Sequence, residues 1–227
     1  MKMLRVGVVA VAATLVTSGA QTPVAAGALR QQSTLPTVNM ELAVKAAQWD
    51  PVKFGTGITP GAGPSVTLVE EALRAKGLLA ASYVDGHFGS ATVSAYAAWQ
   101  RSLGYSGLGA NGLPGISSLT KLSTNNFTVR RQIGPGSRIT FRGFPLNVRT
   151  QDMLLAAEAR SGRTFVVTQG SYSPGTDPTS AGTHDGGGAV DIDVVDLTTT
   201  QRYAAAKALR EVGFAAWVRS PSQGDWP

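Results

Sequence analysis

Cysteine is absent from the 227-residue chain, and that absence excludes several chemistries. No disulfide can staple a small fold, so each domain needs its own apolar core. Thiolate-ligated zinc and thiol nucleophiles are excluded as well. Charge is scarce: Asp, Glu, Lys and Arg make up 15% of the residues, which leaves the surface to Ser, Thr, Gln, Asn and Gly, a composition that suits an extracellular protein. The basic residues are scattered, with Arg130-Arg131 the one tight pair. Neither a basic helix face nor an RNA-binding signature appears, which argues against nucleic acid as a partner. Histidine occurs twice, as His87 and His184, so any imidazole chemistry rests on those two side chains.

Apolar residues are plentiful, at 43% of positions, enough for a packed core and too many for wholesale disorder. Lys2 and Arg5 open a positive segment, residues 6–16 form an apolar stretch, and small residues follow as far as Ala26-Gly27-Ala28. That order reads as a signal peptide over residues 1–28, cleaved after Ala28, with Ala20 and Ala26 as alternative positions. A retained N-terminal anchor is the competing reading, but the apolar stretch is shorter than the roughly 20 residues a spanning helix needs. The expected protein is therefore secreted, with no stable membrane span after cleavage. With Lys2 and Arg5 gone the formal charge of +6 falls by two, and the remaining positive balance favours an anionic partner.

Residues 29–48 are polar and irregular and read as a tether. Residues 55–63, rich in Gly, Pro and Thr, read as a loop. Over 66–79, Val66, Val69, Ala72 and Leu73 recur at the helical period, with Ser65 as the expected N-cap and Gly77 at the helix end. Over 92–103, Val93, Tyr96, Ala97, Gln100 and Leu103 repeat that spacing and Gly104 closes it. Residues 117–122 make a third, short helix.

An internal repeat joins these helices. Asp85-Gly86-His87-Phe88-Gly89-Ser90-Ala91-Thr92 shares its frame with Asn111-Gly112-Leu113-Pro114-Gly115-Ile116-Ser117-Ser118. In each, an Asx-Gly pair makes a turn that tolerates positive φ, and a hydroxyl is placed to cap the next helix. With Trp99-Gln100 and Leu103-Gly104 between the two turns, the segment resembles the three-helix peptidoglycan-binding module. The resemblance covers about 66–122 and implies a small helical bundle, within a domain set at 49–125, that docks on the bacterial cell wall. Trp99 and Tyr105 are candidate stacking surfaces, although an aromatic at helical spacing belongs more often to a core.

Residues 126–131 read as a linker, and 132–227 mix helix and strand without a βαβ repeat, which suggests an α+β domain. Helices are expected over 153–160 and 199–212, the latter stopped by Gly213, and strands over 164–168, 189–195 and 214–218. His184 lies in Ser180-Ala181-Gly182-Thr183-His184-Asp185-Gly186-Gly187-Gly188-Ala189-Val190-Asp191. Glycines let this loop turn tightly, so an imidazole and a carboxylate seven residues apart can reach one metal ion. One nitrogen and one oxygen donor suit zinc. Taken bare, the pair is better described as a glycine-rich turn with a surface His and a capping Asp.

The longer string His184-x-x-Gly187-x-Ala189-x-Asp191, preceded by Gln169-Gly170-Ser171-Tyr172, resembles the zinc-binding signature of D-Ala-D-Ala carboxypeptidases and endolysin peptidases. The resemblance implies His184 and Asp191 as zinc ligands, a third His near the C-terminus, and an acidic general base. Asp225 matches the acidic lead-in to that third ligand, and Gln169, Ser171 and Tyr172 stand where substrate would lie. No histidine follows His184, so the domain is expected to be incomplete at its C-terminal end and the chain weakly active or inactive as a metallopeptidase. Asp185 and Asp193 are alternative ligands. Some relatives place an Arg near this strand for a substrate carboxylate; here the strand offers Gln169 and Ser171, which leaves carboxypeptidase and endopeptidase both open.

The expected fold class is therefore multi-domain: an all-α three-helix bundle followed by an incomplete α+β peptidase-like domain. The expected function is a secreted, wall-associated hydrolase with zinc as cofactor and peptidoglycan as partner. The alternative is a non-catalytic peptidoglycan-binding protein. A glycan-cleaving reading needs two placed carboxylates; Asp191 and Asp193 are available, but nothing around them marks a sugar cleft.

Overall fold

The computed structural model describes residues 34–53, 57–130, 133–174 and 182–219. The signal peptide expected over 1–28 lies outside them. Among the described residues six α-helices and three two-stranded sheets form a mixed α+β architecture. No described helix is long and apolar enough to cross a membrane.

The segment read as a tether is ordered. Strand β1 (Thr37–Asn39) leads directly into helix α1 (Met40–Trp49). Asn39 caps that helix by accepting from the amides of Glu41 at 3.1 Å and Leu42 at 3.3 Å, which satisfies donors the first turn leaves free. What hid the helix is its composition: the inward face is built from Ala43, Ala46 and Ala47 beside Met40 and Val44, and small residues give a weak apolar period. The expected linker is also structured in part, since β2 (Thr128–Arg130) pairs in parallel with β1, Val38 facing Val129.

Helices α2 (Gly63–Ala75), α3 (Ser90–Ser102) and α4 (Ile116–Ser123) follow the repeat. With α1 they bury Val66, Val69, Leu73, Phe88, Tyr96, Leu119, Leu122 and Phe127 in a first core. Trp99 is partly buried against this core and donates from Nε1 to the Ser118 carbonyl at 3.0 Å. The expected caps are corrected. Ser65 lies inside α2, where its hydroxyl accepts from the Asn39 amide at 3.0 Å; Ala62 is the N-cap, and Pro64 sits in the first turn, where its missing amide costs no helical bond. Thr92 and Ser118 likewise sit inside their helices, behind Gly89 and Gly115 as N-caps.

Beyond β2, a hairpin that the apolar pattern did not reveal pairs β3 (Arg138–Phe141) with β4 (Phe144–Asn147). Its two-residue turn, Arg142 at φ 52° and Gly143 at φ 88°, has the positive φ at both positions that matches strand twist. The strain at Arg142 is offset by its contacts. Its guanidinium pairs with Glu158, donates to the Phe165 carbonyl at 2.8 Å and lies over the Phe141 ring.

Helix α5 (Val148–Ser161) begins five residues before the expected start, because Asn147 caps it by accepting from the Thr150 amide at 2.7 Å. Strands β5 (Val166–Gln169) and β6 (Asp191–Asp193) pair antiparallel, and α6 (Thr199–Glu211) opens on a Thr198–Gln201 capping box. Leu146, Leu154, Ala157, Phe165, Ala208 and Val212 form the second core. Residues 214–218, expected as a strand, are irregular.

From Leu35 onward the chain is one unit built on both cores, and α1 lies between them. Gln48 Nε2 donates to the Val212 carbonyl at 2.8 Å, and Lys45 pairs with Asp152 at 2.8 Å. Arg160 reaches back from α5 to the carbonyls of Ala47 at 3.1 Å and Gln48 at 2.9 Å. A cation at the C-terminal end of α1 is favoured by the helix dipole and by the carbonyls left without amide partners.

Candidate functional site

The site begins with a strand that changes partner. The β5–β6 ladder places Gln169 opposite Asp191, with an irregularity between Val167 and Gln169. Residues directly opposed share a sheet face, so the exposed Gln169 lies beside Asp191. Past Gln169 the backbone turns to the hairpin, the Ser171 amide donating to the Pro145 carbonyl at 2.7 Å. Gly170 permits that approach: a Cβ there would lie 2.6 Å from the Pro145 carbonyl oxygen and 2.8 Å from Phe144 Cβ.

The loop carrying His184 folds back onto this strand. Gly187 O accepts from the Asn147 amide at 3.1 Å and the Thr150 hydroxyl at 3.0 Å, at the N-terminal end of α5. The Tyr172 amide donates to Gly186 O at 3.2 Å and the Ser173 amide to His184 O at 3.1 Å. Gly187 has no room for a side chain, since a Cβ would lie 2.2 Å from the Tyr172 hydroxyl and 2.8 Å from Asn147 Nδ2. The Gly-rich string is thus a loop packed between a strand and a helix start.

That packing brings the two expected metal ligands together. His184 Nδ1 lies 2.6 Å from the Gly170 carbonyl oxygen. A carbonyl only accepts, so Nδ1 carries a proton, and in the neutral imidazole Nε2 then keeps the lone pair. Nε2 lies 3.6 Å from Asp191 Oδ1. Two donors at zinc-bond length from one ion, set at a tetrahedral angle, stand roughly 3.4 Å apart, so the spacing and the donor types are compatible with one zinc ion. The imidazole is nearly enclosed, at 13% exposure, whereas the Asp191 side chain is 53% exposed, which leaves the site open on the aspartate side.

The other expected residues divide. Gln169 is exposed beside Asp191. Tyr172 adopts φ 59°, its ring covered by the Arg138 guanidinium at 4.7 Å and its hydroxyl turned toward Gly187; it forms a wall of the loop. Ser171 is fully buried, and its hydroxyl both donates to the Ala189 carbonyl and accepts from the Ala189 amide at 3.1 Å. Its hydroxyl is therefore spent on the loop. Asp193 accepts from the Val195 amide at 2.8 Å and acts as a strand-end turn. Asp225 lies outside the described residues. His87 belongs to the first core's turn, its Nε2 lying 3.0 Å from Asp50 O. No group of three or more His, Cys, Asp or Glu side chains converges among the described residues.

Sequence reasoning missed the residues that shape the loop: Asn147, Thr150, Arg138 and the Gly170 carbonyl. An Asn before a helix is a readable signal for the first, had the helix been started there. The others act through backbone atoms or across the hairpin and leave no mark in spacing.

The repeat in the first core has a matching internal logic. Glu70 on α2 is fully buried, accepts from the amides of Asp85 at 3.1 Å and Gly86 at 2.8 Å, and accepts from the Thr92 hydroxyl at 2.9 Å. Gln100 on α3 holds the second turn, accepting from the Gly112 amide at 2.8 Å and donating to the Leu113 carbonyl at 2.8 Å. Burial, opposed by the hydrogen bonds, pushes the Glu70 carboxyl up to about 7. Comparison of the chain with family models, curated proteins and solved structures gives no match.

Proposed function

We propose that this chain is a secreted peptidoglycan-binding protein whose second core carries a zinc-dependent peptidase site of the D-Ala-D-Ala type, directed at wall peptides. In this reading the first core is the three-helix wall-binding module and the second is the α+β peptidase-like part of a multi-domain protein. The observation that carries it is the His184–Asp191 pair, with Nδ1 committed to a carbonyl and Nε2 3.6 Å from Oδ1. In this reading His184 and Asp191 would hold a zinc ion, which would supply Lewis acidity for the scissile carbonyl and acidify a bound water, and Gln169, exposed beside Asp191, would meet the substrate chain. The wall-binding module raises the local substrate concentration.

Catalytic zinc sites hold three protein ligands. Among the described residues His184 and Asp191 are two donors, and two make a weak site, so weak zinc binding and little peptidase activity are expected from that pair alone. Zinc titration of the full chain, with His184→Ala as control, tests the site; sedimentation with purified peptidoglycan tests the module. Zinc binding lost in His184→Ala, together with cosedimentation, is the expected result. Equal zinc binding by the variant, or a chain left in the supernatant, overturns the reading.

A second reading is a peptidoglycan-binding protein without catalysis, in which the 3.6 Å His184–Asp191 contact is a structural ion pair in a glycine-rich turn. Mass spectrometry of wall stem peptides after incubation with the zinc-saturated chain separates the two. Shortened peptides support the peptidase, and unchanged peptides with retained wall binding support the binder.

A further inference from the structure

The register of the second core leaves a gap that one side chain fills. Gln169 faces Asp191 in the β5–β6 pairing. Two residues further along each strand, Ser171 stands opposite Ala189, where an antiparallel ladder would continue. It does not continue through the backbone, because the Ser171 amide is spent on the Pro145 carbonyl of the hairpin. The Ser171 hydroxyl takes over, donating to the Ala189 carbonyl and accepting from the Ala189 amide at 3.1 Å. A single hydroxyl offers one donor and two acceptor positions, enough for both bonds.

The neighbouring Gly170 presents its carbonyl to His184 Nδ1 at 2.6 Å. Two consecutive residues thus grip both ends of the loop: Gly170 at His184, and Ser171 at Ala189, two residues before Asp191. Without the hydroxyl, the Ala189 amide and carbonyl lose partners in a site where Ser171 has no exposure to solvent. The entry of the chain into β6 would then be free to slip, and the Nε2–Oδ1 spacing with it.

We propose that Ser171 is a positioning residue: its hydroxyl replaces the missing strand pairing opposite Ala189 and fixes the spacing of His184 and Asp191 for a shared metal ion. The metal part rests on the zinc reading above; the clamp itself does not. Outer partners of this kind change metal affinity by about 10–100-fold when removed.

The test compares the full chain with Ser171→Ala and Ser171→Thr, using Zn(II) titration, hydrogen exchange of the Ala189 amide and nitrogen NMR of the His184 ring. In Ser171→Ala, zinc affinity is expected to fall by about 10–100-fold and the Ala189 amide to lose its protection. Ser171→Thr, which keeps the hydroxyl, is expected to restore both. Unchanged affinity and unchanged Ala189 protection in a folded Ser171→Ala overturn the proposal. If the parent chain binds no zinc, the zinc reading fails, and Ala189 protection alone decides the clamp: lost in Ser171→Ala it stands, kept it falls. If Ser171→Ala does not fold, the parent chain decides, since an unprotected Ala189 amide there overturns the clamp and a protected one supports it.

Discussion

Glu70 accepts the Thr92 hydroxyl at 2.9 Å, and one repeat later Tyr96 meets the Ser118 hydroxyl at 3.0 Å. The same buried helix-to-helix bond is therefore made twice, once by a carboxylate and once by a phenol. Burial raises the carboxyl to about 7 and raises the Tyr96 hydroxyl as well. Only the first falls where a neutral environment can titrate it.

That difference predicts a pH effect. Unfolded, Glu70 titrates near its ordinary 4.5; folded, near 7. A raised folded value means that its stabilising contribution is complete below about pH 4.5 and is lost as pH rises through about 7. Glu70→Gln keeps an acceptor for the turn amides and cannot ionise, as Gln100 already does in the second turn. Thermal unfolding of parent and variant across this range should show the variant gaining stability relative to the parent as pH rises. Parallel curves would refute the assignment.

Arg160 predicts a local loss. Its guanidinium caps α1 through the carbonyls of Ala47 and Gln48, and Glu211 lies 3.7 Å away. Arg160→Ala leaves those carbonyls without their charged donor, and hydrogen bonds to charged groups contribute about 1.5–3 kcal/mol. Urea denaturation should show a loss of that order. A change below about 0.5 kcal/mol would be ordinary for an exposed position and would remove Arg160 from the join between the cores.

Two glycines should respond unequally. Gly112, at φ 85°, has the Val93 carbonyl oxygen 2.4 Å from where a Cβ would stand, while Gly77, at φ 71°, has nothing within 4 Å. Gly77→Ala carries only the positive-φ cost, about 1–2 kcal/mol. Gly112→Ala adds a backbone clash of the kind that costs about 1–3 kcal/mol more. Equal midpoints in denaturant would show that the second turn is looser than described.

The same contrast applies at the site. Gly187 is closed by Tyr172 and Asn147, whereas nothing lies within 4 Å of a Cβ at Gly186. Gly187→Ala should lower the melting temperature and, under the zinc reading proposed above, weaken zinc binding, whereas Gly186→Ala should change neither appreciably. Zinc titration of the two variants checks this; the reverse order would mean that the loop does not set the ligand geometry.

The fold was legible where one element carries a complete local signal. Gly77 and Gly104 end α2 and α3 as their positions imply, both at positive φ. Val66, Val69 and Leu73 face the first core, and the Asx-Gly turns recur in place. It was not legible at α1, whose inward face is largely alanine, or at the β3–β4 hairpin, whose turn uses Arg142 in place of the usual Asn or Asp before Gly143. Residues 214–218 carry the apolar run of a strand and are irregular, since β-propensity depends on the packing a segment finds.

By itself the sequence determined the periodic helices and the duplicated turn, because residue type and spacing act locally, and it singled out His184 and Asp191 as a candidate pair. Tertiary structure alone decided that those two side chains face each other at 3.6 Å, that Nδ1 is spent on the Gly170 carbonyl while Nε2 faces Asp191, and that Ser171 serves the loop. Each of these depends on a backbone carbonyl or amide distant in the chain. Backbone groups are the same for nearly every residue, so no residue code announces which of them a side chain will meet.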